Sequence, residues 1–376
     1  MQLASVEVIP YALPFREPYV TARGRLDQRE MVLLRLRTDE GLVGLGEAVP
    51  LTLRGGAALK EVVDELKALG ESGVLGRMIE QGETGEVERI EAAPDLSGPA
   101  RCAATTALLD LDEKWGELGY RSPERPPTNT PSVIVTFGRH DPGPIPCNAT
   151  LMAREAGAVA KDALRWAEEG FSSFKLKVGV GNDVAQVKAV RQAVGTEARI
   201  RVDANGAWSL DEARRVLAEI EPYDIEFAEQ PVARIEEAAK LAWETPIPLA
   251  GDESISSRED AEEALLLGAY RLSSIKLSKV GGIAEGHTIS GLLRGCVSSA
   301  LDGPVGIAAG ARLAQHIHWE GNPYPPRFAH GLATQRLFAS TIAAVECELR
   351  GDQLHLPEGP GLGVEIDEDA LTAHRL

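Results

Sequence analysis

Five charged residues recur along the second half of the chain at an interval of about one strand plus one helix. Lys177, Asp203, Glu229, Asp252 and Lys276 follow one another at steps of 26, 26, 23 and 24 residues. Each stands at or near the carboxyl end of a short β-rich run: SFKLKV, RIRVDA, IEFAEQ, IPLAGDE and LSSIKLS. If these runs are successive parallel strands of a barrel, all five side chains open on one face, where such folds gather their reactive groups. Three carboxylates at a dry barrel mouth repel one another unless a cation neutralises them. An all-oxygen set without His or Cys selects a hard ion, so Mg²⁺ is expected at Asp203, Glu229 and Asp252, with Mn²⁺ as a substitute. Such an ion can chelate a substrate carboxylate and stabilise the charge that develops when the neighbouring carbon loses a proton. A lysine accepts that proton near neutral pH only if its pKa is lowered. Lys175, two residues from Lys177 on the same strand face, is a cationic neighbour of the required kind.

A lone acid or lysine at a strand end is more often a helix cap or a solvated charge, and Asp183 and Asp211 are read that way, near helix starts. Five in register, one per strand, are a different matter. The elements that must position them are legible from Cys147 onward. CNATL precedes the five runs and GCVSSAL follows them, with RFAHGLA a weaker candidate for a closing strand. Helical patterns such as DVAQVKAVRQAVG and LDEARRVLAEIEP lie between. Strands alternating with helices of this length mean βαβ units and a parallel sheet. Counted from CNATL, the lysines fall on the second and sixth strands, on opposite sides of the ring, with the acids on the third, fourth and fifth between them. GVGND (179–183) lacks a phosphate-binding glycine pattern and reads as a strand-to-helix turn.

The first third differs. LASVEVIPYAL and EMVLLRLRTDEGLVGLGEAVP read as strands around a turn at Asp39-Glu40-Gly41. From Gly56 apolar residues at Leu59, Val62, Val63, Leu66 and Leu69 mark a helix. The stretch from Gly73 to Pro99 is acidic and reads as irregular, and ARCAATTALLDLDEKWGEL returns to helix. A Pro-rich segment, 121–146, follows as a linker or long loop.

The bulk properties narrow the partners. A net charge of −18 over 376 residues lacks the basic footprint that nucleic acid requires, and an anionic membrane surface would repel it. An anionic substrate must therefore meet local positive charge. The four cysteines, Cys102, Cys147, Cys296 and Cys347, are scattered without metal-ligand spacing, so reduced, buried thiols are expected. No signal-like N-terminus and no apolar run of about 18 residues is present, so a cytoplasmic enzyme is expected. A homo-oligomer is compatible with the sequence, which does not set the oligomeric state.

Taken in order, LRLRTDEGLVGLGEAVP, KLKVG, RVDANGAW, EQP, GDES and IKLSKVGG resemble the enolase superfamily, within it the muconate lactonizing enzyme subgroup, over nearly the whole chain. The resemblance implies an α/β fold, a modified TIM barrel of (β/α)7β type with an N-terminal α+β capping domain. The cap is placed at 1–125 with contributions from 340–376, and the barrel at 126–339. It implies Lys177 as the base with Lys175 tuning it, Lys276 on the opposite face, and Asp203, Glu229 and Asp252 as Mg²⁺ ligands. Asn205, Glu253 and Arg201 are implied as supporting groups, although Arg201 could simply pair with a neighbouring acid. Lys279 is read as a solvated charge or an outer supporting group.

VSSALDGPVGIAAGARLA looks most like the o-succinylbenzoate synthases of this subgroup, which dehydrate a cyclohexadiene carboxylate in menaquinone biosynthesis. Ser298 and Ser299 would receive the succinyl group or ring carboxylate, or merely end their strand. Tyr19 and Arg23, in a loop at 18–24, and Arg54, in a turn at 51–56, would close over the substrate. N-acylamino acid racemase, dipeptide epimerase, muconate-type cycloisomerase and a non-catalytic metal-binding barrel are the alternatives. The absence of a DxD pattern at the seventh strand end, where SSALD stands, weighs against dipeptide epimerase. The segments 76–98, 121–145 and 316–327 carry no readable role.

Overall fold

The computed structural model describes residues 1–21, 24–52, 55–81, 90, 96–117, 143–319 and 328–376. The chain begins with an antiparallel meander of β1 (Leu3–Thr21), β2 (Gly24–Thr38) and β3 (Val43–Ala48). Helices α1 (Leu59–Glu71), α2 (Val74–Glu80) and α3 (Gly98–Trp115) follow. Because α2 has only two full turns, the apolar period that marks a helix is hard to see in an acidic context, and part of the stretch expected to be irregular is helical. In β3 the sequence Val-Gly-Leu-Gly sets two glycines on one face. A Cβ at Gly46 would lie 1.9 Å from the Ala103 carbonyl oxygen, so α3 packs with its backbone directly on the strand.

After the short β4 (Ile145–Pro146), strands and helices alternate. Strand β5 (Ala149–Leu151) leads to α4 (Ala156–Glu168), β6 (Ser173–Lys177) to α5 (Asp183–Val194), and β7 (Arg199–Asp203) to α6 (Leu210–Ile220). Then come β8 (Ile225–Glu229) with α7 (Ile235–Glu244) and β9 (Leu249–Gly251) with α8 (Arg258–Leu267). Strand β10 (Leu272–Ile275) is followed by α9 (Leu277–Val280) and α10 (Ile283–Leu292), and β11 (Arg294–Val297) by α11 (Pro304–Trp319). Local chemistry stops and starts these helices: the Ser209 hydroxyl caps α6, and Ser257 with Asp260 forms a capping box on α8.

Strands β5 to β11 form one parallel seven-stranded sheet in sequence order. The eighth position is reduced to His330 and Gly331, within the RFAHGLA run. His330 makes a parallel bridge to Cys147 beside β5, and Gly331 one to Ser298 beyond β11, so these two residues close the ring. The fold is thus the expected α/β barrel of (β/α)7β type with a separate N-terminal sheet. Successive inward-facing residues stack in layers. Phe227, Ala250, Leu272 and Cys296 form an apolar layer inside the barrel, with Phe328 edge-on to Phe227.

Beyond the barrel, β12 (Ala343–Val345) pairs with β15 (Glu365–Ile366), and β13 (Glu348–Arg350) with β14 (Gln353–His355), which also pairs with β4. The terminal helix α12 (Glu368–His374) brings Glu368 to Arg35 of β2 at 2.7 Å, and Tyr11 of β1 bridges Arg375. All four cysteines are buried free thiols. Among the described residues no helix is long and apolar enough to cross a membrane.

Candidate active site

The parallel register sets Lys177 opposite Asp203, and Asp203 opposite Glu229, in one row at the carboxyl ends of β6, β7 and β8. Asp252 follows β9 directly and Lys276 follows β10 as the first residue before α9. All five are buried, the three acids to within 1% of complete burial. Strand order places Lys177 and Lys276 on the second and sixth staves, across the ring from each other, and both line one cavity.

The acids are held by ammonium groups. Lys177 Nζ donates to Asp203 Oδ2 at 2.6 Å and to Asn205 Oδ1 at 2.9 Å. Lys175, one inward position below Lys177, reaches Glu229 Oε1 at 2.6 Å and Asp203 Oδ2 at 2.9 Å. Lys276 pairs with Asp252 Oδ2, and Lys279 with Asp252 Oδ1 at 2.9 Å and with its backbone carbonyl. Lys279 is therefore a buried partner of an acid, not a solvated charge, because the turn into α9 directs it back over the barrel mouth.

These contacts decide the ionisation. Burial and the Lys175 ammonium push the Lys177 pKa down, but Asp203, with Tyr19 and Glu229 adding to it, outweighs them and holds it above the usual lysine value. The lowered pKa expected from the sequence is not found in this arrangement, since Lys175 is one cationic neighbour against several acids. Glu229 is pushed up by burial and by Asp203. Asp203 is held far below the usual carboxylate range by Lys175 and Lys177, which overcome its burial.

Among the described residues no three acids, histidines or cysteines converge closely enough to form a preformed cage for an ion. The Lys175 ammonium lies between two of the acids instead. The donor set nevertheless fits a hard divalent cation, being all oxygen and on three adjacent strand ends. Glu229 Oε2 supports this reading, since it is buried with no hydrogen-bond partner, a costly position for a carboxylate oxygen.

Asn205 explains how the row is kept rigid. It has φ +49°, a left-handed conformation that Asn tolerates better than most residues. Its N–H donates to Asp203 Oδ1 at 3.0 Å, and its amide donates to Glu253 Oε1 at 3.0 Å. Gln230, not singled out in the sequence, accepts the N–H groups of Asp252 and Ser254 at 3.0 and 3.1 Å. It thereby ties the fourth strand end to the fifth. Its position directly after a strand-end acid was the available signal.

Arg201 sits elsewhere than beside the acids. Its register partner is Lys175, one layer below the row, and it donates to Glu226 Oε2 at 2.9 and 2.6 Å and to the Ala329 carbonyl at 2.8 Å, its guanidinium over the Phe227 ring. It is a strut inside the barrel.

Ser298, Ser299 and Tyr19 do line the cavity, with Leu51, Ala300 and Leu301 from the segments 51–56 and 298–306, and with Arg29, Thr150 and Thr334, which sequence reasoning did not reach. Ser298 Oγ accepts from Ser274 at 2.9 Å, and Ser299 Oγ accepts the Asp302 N–H at 2.8 Å. Tyr19 does not belong to a loop. It pairs with Leu26 where β1 and β2 extend as a hairpin toward residues 22–23. Arg23 and Arg54 fall outside the described residues.

Two family descriptions match the chain. Residues 3–118 match the mandelate racemase / muconate lactonizing enzyme N-terminal domain, and residues 158–370 match the enolase C-terminal domain-like family. The chain belongs to the enolase superfamily. Among other superfamily members, o-succinylbenzoate synthase of Thermobifida fusca is 32% identical over 65% of this chain and 70% of its own. N-succinyl-L-Arg/Lys racemase of Bacillus cereus is 26% identical over 99% of this chain and 97% of its own. The crystal structure of dipeptide epimerase from Enterococcus faecalis, complexed with Mg and a dipeptide, superposes with a TM-score of 0.82 at 25% identity. That match covers 97% of this chain and all of the other. This enolase-superfamily enzyme thus resembles a lyase, a racemase and an epimerase to similar degrees, and identity alone singles out no one reaction.

Proposed function

We propose that this enzyme removes a proton from the carbon next to a substrate carboxylate, with Lys177 as the base. We further propose that the reaction is the syn dehydration of a cyclohexadiene carboxylate, as in o-succinylbenzoate synthase, which would place it in menaquinone biosynthesis in the cytoplasm. The observation that carries the reading is that Lys177 and Lys276 line one cavity from opposite staves with three buried acids between them.

Asp203, Glu229 and Asp252 are the residues that would hold Mg²⁺, or Mn²⁺ in its place, and the ion would supply positive charge to the substrate carboxylate as its neighbour loses a proton. Asp203 holds the proton on Lys177 in the arrangement described, and with that carboxylate turned to a cation Lys177 would be released to take the α-proton as the free amine. The C–H electron pair becomes the new C=C bond as the C–O bond to the leaving hydroxyl breaks. Lys177 returns the proton to that hydroxyl, which departs as water, so no oxidant or reductant is needed. Lys276 holds the developing negative charge from the other side. Asn205 aims Lys177, and Glu253 aims Asn205.

The wall favours an anionic substrate without a free ammonium. The cavity presents Lys175, Lys177 and Lys276, and the Glu253 carboxylate takes the Asn205 amide. Asp302, the acid of SSALD, turns its carboxylate to the Ala300 N–H at 2.7 Å. Ser298, Ser299 and Tyr19 are assigned to the remainder of the substrate, and the family resemblance adds Arg23 and Arg54. Racemisation of an N-acylamino acid is the second reading, because two lysines facing each other across a cavity also suit a 1,1-proton transfer.

Incubation in D₂O separates the two. Dehydration of the cyclohexadiene precursor without α-deuterium exchange into N-succinylamino acids supports the synthase, and the reverse outcome supports the racemase. Absence of Mg²⁺-dependent reaction with both substrate classes would overturn both readings.

A further inference from the structure

Ser298–Leu301 line the cavity, and the segment Ser298–Gly303 is held in a strained shape by residues far away in the chain. Leu301, which lines the cavity, has φ +69°, a left-handed conformation that is unfavourable for a residue with a side chain and persists only where the surroundings enforce it. Part of the restraint is local: Asp302 accepts the Ala300 N–H, and Ser299 accepts the Asp302 N–H. The rest comes from the N-terminal sheet. Arg29 of β2, only 7% exposed, donates from Nη2 to the Ala300 carbonyl at 3.0 Å and to the Pro50 carbonyl at 2.7 Å. Glu47 of β3 accepts the Gly303 N–H at 2.6 Å, at the start of α11.

One guanidinium nitrogen thus joins two carbonyls, one from the segment after β3 and one from the segment after β11, each next to a residue that lines the cavity. Pro50 precedes Leu51 on the cap side, and Ala300 precedes Leu301 on the barrel side, and both leucines line the cavity. A cation bonded to neutral carbonyls in a buried place is a strong clamp, since hydrogen bonds with one charged partner contribute about twice as much as neutral ones. We infer that Arg29 is a positioning residue that sets substrate selectivity, by fixing the distance between the Leu51 wall and the Leu301 wall. It does not touch the row of acids and lysines by any of these bonds. The inference rests on the reading of this cavity as the substrate site.

The test uses Arg29→Gln and Arg29→Lys in the full-length enzyme. Hydrogen–deuterium exchange is followed on peptides covering 296–304, with peptides of β6 to β8 as internal references. In Arg29→Gln the 296–304 peptide is expected to exchange at least tenfold faster while the references stay unchanged. Unchanged exchange there overturns the inference, and this arm does not depend on turnover. Steady-state kinetics with the cyclohexadiene precursor and with an N-succinyl-L-amino acid form the second arm. The expected result is a KM raised about tenfold for the preferred substrate, kcat within threefold of the original, a narrowed ratio between the two substrates, and partial recovery in Arg29→Lys. A fall in kcat at constant KM, or an unaltered substrate ratio, refutes the selectivity role. Should the unsubstituted enzyme turn over neither compound, the proposed function fails on its own, and the exchange arm still decides whether Arg29 holds the wall.

Discussion

Lys175 and Glu229 lie on strands that are not neighbours, yet the Lys175 ammonium stands 2.6 Å from Glu229 Oε1, reaching over the strand between them. It also contacts Asp203 at 2.9 Å. One buried cation therefore balances two of the acids assigned to Mg²⁺.

Replacing Lys175 with Met should leave those acids uncompensated. The protein in EDTA is expected to lose about 3–5 kcal/mol of stability, the usual cost of breaking a buried ion pair on one side. Added Mg²⁺ should then raise the melting temperature more in the variant than in the original protein. An equal rise in both would show that Lys175 and the cation do not answer the same charge.

Lys177→Ala should lower turnover by at least a thousandfold while Mg²⁺ binding, followed by calorimetry, changes little. In the unsubstituted enzyme EDTA should abolish turnover and Mg²⁺ should restore it. Retained activity in the variant would remove Lys177 as the base.

Arg201→Met addresses the strut below the row. Glu226 would lose its buried partner, and the Ala329 carbonyl its donor, so destabilisation of about 3–5 kcal/mol is expected in denaturant melts, with Mg²⁺ affinity unaltered. A large change in metal affinity with normal stability would return Arg201 to the neighbourhood of the acids.

Glu47 makes the stability pH-dependent. Burial, with the Asp302 carboxylate nearby, lifts its pKa from 4.5 to about 7, so the folded protein binds this proton more tightly than the unfolded chain does. The resulting contribution is fully present below pH 4.5 and is lost as the pH rises through 7, in total about 3 kcal/mol. Glu47→Gln cannot titrate. Its stability relative to the original protein should therefore improve by that amount between pH 4.5 and pH 8, whatever the constant effect of the substitution. A difference that does not vary with pH would contradict the raised value.

The row of acids and lysines was legible because the barrel repeats: one strand and one helix per step put each residue at an equivalent height, and spacing reports height. The N-terminal sheet was legible from two β-type runs around Asp39-Glu40-Gly41, and the resemblance supplied the roles. What spacing does not report is depth. Arg201 and Asp203 alternate inward alike along β7, yet the first belongs to the layer of Phe227 and the second to the mouth. Nor does spacing report contacts across the chain. Arg29 meets Ala300 over 271 residues, and within β2 it reads as one more charged residue in a strand. Spacing left Lys279 open between a solvated charge and an outer supporting group, and the four-residue helix after β10 puts it on Asp252, as the second reading has it. Tyr19 was placed in a loop by the resemblance, whereas it pairs with Leu26 in the extended β1–β2 hairpin.

His330 and Gly331 fasten the first stave to the last with a stitch two residues long, where every other join in the ring is a strand pair. Gly331 and Thr334 face the cavity, as do Thr150 on the first stave and Ser298 just past the last. A ligand resting against these residues presses on both edges of the seam at once. Occupancy and closure of the ring are then coupled in free energy, so a saturating ligand tightens the seam by the same factor with which a loosened seam weakens the ligand.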